Sequence, residues 1–370
     1  MTTMQPLLKP YTLGDIELRN RVIMAPMTRS RAANTENVPT QDLHVPYYAQ
    51  RSGAGLIITE GSQISKQAIG YVNTAGIHTK EQVAGWKKVT DKVHENGGKI
   101  FVQLWHVGRM SHPDFHDGNL PLAPSAINPN AKSYTPDGFK DTVTPKAMSI
   151  EDIKQTVQDF KHASKNAMEA GFDGVEIHSS NGYLIHQFFN GTANIREDEY
   201  GGSIENRSRF FFEVLDAIKS VVPENRIGAR FNPSCHNIFG ITVDKDTIPT
   251  FEYVIDRLNN YNLAYVHLSE PFNDVSDVDY AITNIAEHFR PIYKGTLMIN
   301  AGFDQAKGNA VLEKGLADLV AFGKLFISNP DLVHRFENNY ELSDWDEDTF
   351  YTPGKEGYLD YPTYEHEQNS

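Results

Sequence analysis

The chain has 370 residues, a formal net charge of −14 and a single cysteine, Cys235. A negative charge of this size disfavours a nucleic-acid partner, because binding a phosphate backbone needs clustered Lys and Arg. One cysteine excludes an internal disulfide and any cysteine-based zinc site. Met1 to Leu13 hold no apolar run long enough for a signal peptide, and nowhere do 18 apolar residues follow one another. We therefore expect a cytoplasmic protein that does not enter a membrane.

Short apolar runs with the composition of strands alternate with longer stretches of helical period. This alternation is typical of β/α repeats, and eight repeats predict a closed (β/α)8 TIM barrel of the α/β class. No Gly-x-Gly-x-x-Gly fingerprint follows the first run, which disfavours an open dinucleotide-binding sheet. Because no Pro/Gly-rich linker divides the chain, residues 1–370 are predicted to form one domain. The eight runs are Arg21–Thr28, Gly55–Ile64, Lys99–Val107, Gly174–Ser179, Ile227–Phe231, Tyr265–Ser269, Thr296–Ala301 and Leu319–Gly323.

Two segments fall outside this repeat. Residues 110–149 are polar and Pro-rich and follow the third predicted strand, so we expect a lid over the C-terminal face of the barrel. The tail, residues 341–370, is acidic but rich in aromatic residues, which favours packing on the barrel over disorder. These aromatic residues are Trp345, Phe350, Tyr351, Tyr358, Tyr361 and Tyr364.

The ends of the last two predicted strands suggest a phosphate-bearing ligand. Strand seven ends in Ala301-Gly302 and strand eight in Gly323-Lys324. Glycines at these points let backbone N–H groups approach a phosphate closely, and the lysine adds charge. The alternative is that both glycines serve only as turns.

Polar residues also end strands four and five. His178 and Asn181, three residues apart, can direct neutral donors at one oxygen, and Tyr183 can supply a proton as a general acid. Capping and packing are the alternative roles for these three residues. Arg230 lies in an apolar strand and needs an anionic partner, which is either a ligand or a carboxylate such as Glu60 or Glu176.

A metal site is not predicted. His106, His112 and His116 are close in sequence, but no second cluster with ligand spacing accompanies them.

Along nearly the full length of the chain, five segments carry a specific resemblance to a known family: Ala25–Arg31, Gln103–Arg109, Glu176–Leu184, Asp198–Arg207 and Asn329–Leu332. Together they resemble the old yellow enzyme family. Thr28 stands where another branch of that family carries Cys, so the resemblance is to the classical branch. One departure is Lys324, where many relatives have Arg. Because lysine is a point charge and not a planar fork, the geometry expected at a phosphate is less defined.

The resemblance implies noncovalently bound FMN, with NADPH or NADH as a transient hydride donor and an activated alkene as the acceptor. The cofactor-binding residues it implies are Pro26, Met27, Thr28, Gly61 and Gln103 around the flavin, Arg230 at its N1 side, and Ala301, Gly302, Gly323 and Lys324 at the phosphate. His178 and Asn181 would bind the substrate oxygen and Tyr183 would donate the proton, while Trp105, Phe272 and Tyr351 would surround the substrate.

The sequence therefore predicts an FMN-dependent, NAD(P)H-driven ene-reductase that acts as a monomer or homodimer. Two other classes are considered. One is a barrel hydrolase or lyase with Glu60 and Glu176 as paired carboxylates, and the other is a flavin binder without catalytic activity.

Overall fold

The computed structural model describes residues 4–368; the outermost residues of the predicted domain and tail, 1–3 and 369–370, lie outside the described residues. The strands are β1 Tyr11–Leu13, β2 Ile16–Leu18, β3 Val22–Met24, β4 Leu56–Gln63, β5 Ile100–Trp105, β6 Leu122–Ala123, β7 Lys132–Thr135, β8 Gly138–Asp141, β9 Lys146–Ala147, β10 Gly174–His178, β11 Ile227–Phe231, β12 Tyr265–Ser269, β13 Leu297–Asn300 and β14 Leu319–Phe322. The helices are α1 His44–Gln50, α2 Lys80–Glu95, α3 Ile150–Glu169, α4 Leu184–Phe189, α5 Ile204–Lys219, α6 Thr247–Arg257, α7 Ile285–Phe289, α8 Gln305–Glu313, α9 Lys324–Ser328, α10 Leu332–Asn338 and α11 Tyr364–Gln368.

Eight parallel strands form a closed barrel in the order β3, β4, β5, β10, β11, β12, β13, β14. The ring closes between the last strand and the first, where Val320 pairs with Val22. Helices connect successive strands, so the predicted (β/α)8 barrel is confirmed. In such a barrel all strands point the same way, and the loops at their carboxyl ends meet on one face.

The predicted strand positions agree with the barrel strands, with one clear difference in length. The first run was predicted to extend from Arg21 to Thr28, but β3 ends at Met24. The backbone of Ala25 still donates to the carbonyl of Phe322 at 3.0 Å. Beyond Ala25 the chain leaves the ladder, so residues 26–28 are free to line the mouth of the barrel.

Capping residues mark the starts and ends of several helices. Thr79 and Ser149 form capping boxes at the starts of α2 and α3. Gly97, Gly171 and Gly315 follow α2, α3 and α8 with φ of +74°, +84° and +66°. The left-handed conformation at these three glycines ends each helix and turns the chain back toward the next strand.

The amino-terminal hairpin closes the other end of the barrel. Strands β1 and β2 pair antiparallel. Leu13, Ile16 and Leu18 pack in one buried cluster with barrel residues that include Ile23 and Phe101. Since that end is filled by apolar side chains, a ligand can enter only from the carboxyl ends of the strands.

The segment 110–149 follows β5 and contains short strands and one 3-10 turn, Pro113–Phe115, instead of an α-helix. Strands β7 and β8 form an antiparallel hairpin. The carbonyl of Tyr134 on this hairpin accepts from the backbone N–H of Val72 at 2.9 Å. The hairpin reaches the barrel mouth, so the lid predicted after the third barrel strand, which is β5, is confirmed. Within residues 4–368, no helix is both long and apolar enough to cross a membrane.

Candidate active site at the barrel mouth

A cavity of about 960 Å³ lies at the carboxyl ends of the barrel strands. Its volume is at the upper end of the range for small-molecule sites. Most of the predicted site residues line it: Pro26, Met27, Thr28, Trp105, Asn181, Tyr183, Arg230, Phe272, Ala301, Gly302, Gly323, Lys324 and Tyr351. Three predicted residues, Gly61, Gln103 and His178, are buried beside this lining and are not part of it.

Arg230 provides a buried positive charge at the cavity wall. Its Nη2 lies 3.4 Å from the hydroxyl of Ser269, and an Asn300 amide turned to face it accepts from the same nitrogen at 2.9 Å. Its Nε is buried without a hydrogen-bond partner. Burial lowers the pKa of Arg230, and the charge of Glu176 partly opposes that effect. A buried guanidinium whose donors are incompletely satisfied favours an anionic group in the cavity.

Glu176 does not pair directly with Arg230, because its two oxygens have other partners. Gln103 Nε2 donates to one oxygen at 2.8 Å, and His267 Nδ1 lies 2.8 Å from the other. Burial by itself would raise the pKa of Glu176, but the His267 and Arg230 charges and these hydrogen bonds lower it below its usual value. Glu176 is therefore a fixed counter-charge behind the wall. Arg230 remains available to the cavity.

At the carboxyl ends of β13 and β14, the seventh and eighth strands of the barrel, the backbone borders open space. Ala301 and Gly302 have left-handed φ of +74° and +75°. A Cβ on Gly302 would meet no atom within 4 Å, and one on Gly323 would approach only Met27, at 3.6 Å. Such bare backbone suits a phosphate group.

Lys324 lies in the same region, but its ammonium is already paired. Its Nζ lies 2.5 Å from Glu347 Oε1, and both side chains are exposed. Any anion that binds Lys324 therefore competes with a carboxylate of the tail. The sequence did not predict this partner, which lies 23 residues away.

Trp105 lies at the centre of the apolar wall, and Gly61 lies behind it. A Cβ at Gly61 would lie 2.8 Å from Trp105 Cε3, so only glycine lets the indole keep this position. The register between β4 and β5 shifts between Ile58 and Gly61, which brings the two residues together. The indole stacks on Tyr71, with ring centroids 5.6 Å apart, and on the ring of His178 at 6.2 Å.

His178, Asn181 and Tyr183 come together at the end of β10. Burial, reinforced by the Arg230 charge, holds the pKa of His178 well below its usual value, so its ring is neutral at pH 7. Asn181 has φ +57°, and its Oδ1 accepts from Asn232 at 3.0 Å. The turn thus places two neutral polar side chains beside the Tyr183 ring, whose centroid is 5.1 Å from that of His178.

Tyr183 has one polar partner in the cavity, the hydroxyl of Tyr71. Its hydroxyl donates to that of Tyr71 at 3.3 Å. Burial raises the pKa of Tyr183 well above its usual value, and the neighbouring Tyr71 reinforces this effect. At neutral pH the phenol therefore keeps its proton. Tyr183 can release that proton only to a strongly basic atom beside it.

Comparison with known proteins assigns the chain to a family. Residues 6–343 match the model of the NADH:flavin oxidoreductase / NADH oxidase family. The chain belongs to this family. 12-Oxophytodienoate reductase 1 from Oryza sativa subsp. japonica is 42% identical over 97% of this chain and 93% of the relative. Flavin oxidoreductase hxnT from Emericella nidulans is 40% identical over 98% of both chains.

Solved structures of the same family have the same fold. Morphinone reductase superposes with a TM-score of 0.92 at 41% identity and covers 100% of both chains. A complex of morphinone reductase with tetrahydroNAD gives 0.90 at 41% identity, covering 97% of this chain and 98% of the other. The old yellow enzyme homologue from Zymomonas mobilis gives 0.90 at 37% identity, covering 96% and 99%.

Membership of the family confirms the predicted resemblance to old yellow enzyme and identifies the chain as an FMN-dependent oxidoreductase. The alternative of a hydrolase or lyase with paired carboxylates is wrong, and neither Glu60 nor Glu176 lines the cavity. A flavin binder without activity is wrong for the same reason, since the family consists of oxidoreductases. The cavity fits FMN, because it combines an incompletely satisfied buried cation with bare backbone at two strand ends.

Sequence reasoning missed several residues of the cavity wall. Tyr71 follows β4 by eight residues, and Phe239 and Asn300 also line the cavity. The position of Asn300, just before Ala301 at a strand end, was a usable signal. Tyr71 and Phe239 lie in loops, where no sequence pattern indicates which way a side chain points. Within residues 4–368, no group of three or more His, Cys, Asp or Glu side chains is arranged to hold a metal ion.

Proposed function

We propose that this FMN enzyme is an ene-reductase that uses NADH or NADPH to reduce the C=C bond of α,β-unsaturated carbonyl compounds and related activated alkenes. The observation that carries the proposal is that Tyr183, Asn181 and Arg230 line one cavity, with the ring of His178 packed directly behind Trp105 and Tyr183 of its wall. A proton donor, two neutral oxygen-binding groups and a cation for an anionic cofactor then share one site.

The residues that would hold FMN are those of the two polar regions of the wall. Arg230 would lie at the N1 side of the flavin, with Thr28 and the backbone of residues 26–27 around the ring. Gln103, which is buried beside the wall and donates to Glu176, would support the ring from behind. Ala301, Gly302, Gly323 and Lys324 would surround the phosphate, after Lys324 exchanges Glu347 for it. When bound, FMN accepts a hydride from a nicotinamide and passes it to the double bond. Gly61 contributes indirectly, by giving Trp105 its place.

His178 and Asn181 would bind the oxygen of the activating carbonyl or nitro group. A neutral imidazole and an amide donate hydrogen bonds without adding a second buried cation next to Arg230. As hydride reaches the β carbon, negative charge grows on that oxygen. Donors fixed by the turn after β10 stabilise this charge more than they stabilise the neutral substrate.

Tyr183 would protonate the α carbon. Its O–H bond breaks as the new C–H bond forms, and the phenolate oxygen that remains can accept a hydrogen bond from Tyr71. A raised pKa keeps the phenol protonated until an enolate is present, which is the state a general acid needs.

The apolar wall sets the class of substrate. Trp105, Phe272 and Tyr351 would pack against the carbon skeleton of the alkene. Relatives are named 12-oxophytodienoate reductase and morphinone reductase, names that specify oxo compounds.

A neighbour structure holds tetrahydroNAD, which supports a nicotinamide that binds transiently in the same cavity. No separate dinucleotide-binding domain is then needed. We further propose a single-domain cytoplasmic enzyme that acts as a monomer or homodimer.

Anaerobic titration tests the proposal. The purified protein is expected to be yellow, to release FMN on acid treatment, and to bleach with NADH or NADPH. Addition of 2-cyclohexen-1-one should restore the yellow colour and give cyclohexanone. Bleaching without reoxidation by any activated alkene would refute alkene reduction and leave the flavin oxidoreductase assignment intact.

A further inference from the structure

Two arginines of the segment Ala25–Arg31 are buried at the cavity, and the proposed chemistry does not use them. Arg29 lines the cavity, and Arg31 lies outside its lining. Arg29 and Arg31 are 0% and 1% exposed. Among residues 4–368 neither forms an ion pair with a carboxylate within 4 Å. A buried guanidinium without a carboxylate needs other acceptors for its five N–H groups.

Arg29 finds its acceptors mainly in the tail. Its Nε donates to the carbonyl of Phe350 at 3.1 Å and its Nη2 to the carbonyl of Gly357 at 2.6 Å. Its Nη1 donates to the hydroxyl of Tyr47 at 3.2 Å. The guanidinium also lies over the ring of Tyr358, 5.3 Å from the centroid.

Arg31 spreads over the same part of the tail. Its Nε donates to Gly354 O at 3.1 Å, and its Nη1 to Phe350 O at 3.1 Å. Its Nη2 donates to Thr349 O and Glu356 O, both at 2.9 Å. Five carbonyls of residues 349–357, which we call the tail loop, thus point at two guanidinium groups.

The tail loop carries two residues of the cavity wall, Phe350 and Tyr351. Tyr351 is 56% exposed, so its own packing holds it weakly. Most of the hydrogen bonds from Arg29 and Arg31 go to backbone carbonyls, so they fix the backbone of the loop. Arg31 also donates to the hydroxyl of Thr352 at 3.3 Å, and Arg29 lies over the ring of Phe350, 5.8 Å from its centroid. The position of this wall therefore depends on residues more than 300 positions away in sequence.

Glu60 is a carboxylate whose charge acts on both arginines. It is buried, and its Oε1 accepts from the hydroxyl of Tyr48 at 3.1 Å. Its Oε2 has no partner, and His44 Nε2 lies 3.6 Å from Oε1. Burial raises the pKa of Glu60 to about 7, although Tyr48 and both arginines act against this. A carboxylate in this state balances the two cations only in part, so the tail carbonyls remain their main partners.

We propose that Arg29 and Arg31 are positioning residues that hold the tail loop as a fixed wall of the cavity, and so set how tightly the alkene binds. This proposal rests on the proposed function, since it takes the cavity as the substrate site.

The test compares Arg31→Met with Arg335→Met. Arg335 is also buried and donates to carbonyls of the tail, those of Glu341 and Pro362, and neither of these two residues lines the cavity. Unlike Arg31, it also pairs with the carboxylates of Asp331 and Glu367. Arg31→Met should raise KM for 2-cyclohexen-1-one by roughly 5- to 50-fold, because a displaced wall no longer packs against the alkene and about 1–2.3 kcal/mol of binding free energy is lost. kcat should change by less than about three-fold. Arg335→Met should leave KM within about two-fold.

Hydrogen exchange reports the loop independently of activity. Amides of residues 349–357 should exchange faster in Arg31→Met and not in Arg335→Met. Trypsin should also cleave sooner after the exposed Lys355. Arg31→Lys is the variant to use should Arg31→Met not fold. It keeps the charge but not the fork, so it should restore only part of the KM.

Phe350→Ala with Tyr351→Ala separates positioning from general destabilisation. In that background Arg31→Met should raise KM by less than two-fold, since the wall it positions is already gone. Equal KM effects of Arg31→Met and Arg335→Met, or a full rescue by Arg31→Lys, would overturn the proposal. If the wild-type protein reduces no alkene, the proposed function fails. In that case KM for NADH, together with the exchange data, still decides whether the arginines position the wall.

Discussion

Replacing Tyr183 by Phe removes one oxygen from the cavity and leaves the aromatic ring in place. The lost hydroxyl has a single hydrogen bond to a side chain, to Tyr71 at 3.3 Å. Such a bond contributes about 1 kcal/mol to stability, which in a chain of this size changes Tm by only a few degrees. The ring contacts with Trp105 and His178 do not depend on the oxygen. We therefore expect a folded variant with full FMN content.

The kinetic effect should be much larger than the effect on stability. Loss of a general acid slows its step by roughly 10²–10⁴-fold, which corresponds to about 3–5 kcal/mol of barrier. Only the step that needs a proton should show it. Stopped-flow absorbance separates the two half-reactions: bleaching by NADPH should stay near the wild-type rate, while reoxidation by 2-cyclohexen-1-one should slow. Nitroalkenes should suffer less, because a nitronate can leave and take its proton from water.

His178→Ala combined with Asn181→Ala provides the contrast. This change removes the proposed oxygen donors and keeps the acid, so it should weaken enone binding and slow enone reduction. Equal slowing of both half-reactions by Tyr183→Phe, at unchanged FMN content, would refute the assignment of Tyr183 as proton donor.

Three further outcomes test other parts of the site. Arg230→Met should weaken FMN retention and lower the reduction potential of the flavin; dialysis and an equilibrium dye titration measure these, and no change in either would reject its role at N1. Gly61→Ala should force Trp105 to move, because the new Cβ would lie 2.8 Å from its ring; we expect a loss of about 1–3 kcal/mol by urea unfolding and an altered tryptophan emission. Burial lowers the pKa of both His106 and His186 to about 3, so stability from these neutral rings is complete above pH 6.5 and falls as the pH drops toward 3, by up to about 1.4 kcal/mol per pH unit for each. Urea unfolding at pH 7.5 and 5.5 should show this slope, and His106→Gln with His186→Gln should reduce it; an unchanged slope would contradict it.

The barrel could be predicted from the sequence because its signal is local. Each strand is a short apolar run followed by a helix with a clear stripe, and eight repeats leave little choice of closed architecture. The first strand was predicted too long because Met27 is apolar and Thr28 is a β-former, so the composition of the run continues past Met24. Its end is set by pairing with both neighbours, a long-range property that composition does not carry.

The site was predicted less completely, for a related reason. Strand ends identified the residues that face the cavity directly. The register shift that brings Gly61 against Trp105 depends on pairing between β4 and β5. Lys324 pairs with Glu347, and Arg31 contacts the tail. Both contacts join segments that are distant in sequence, and no local sequence pattern indicates that such segments lie close together in space.

Arg230 links the cofactor side of the cavity to the substrate side. Its charge favours an anionic cofactor, and the same charge is the second cause, after burial, of the low pKa of His178. Behind the wall, the charge of Glu176 limits the influence of Arg230 on the pKa of His178. It does not neutralise Arg230, because Gln103 and His267 occupy the two oxygens of Glu176. One buried cation thus both suits the cofactor and keeps the neighbouring imidazole neutral. A protonated His178 would place a second cation against Arg230. A substitution of Arg230 would therefore change both the binding of the anionic cofactor and the pKa of His178.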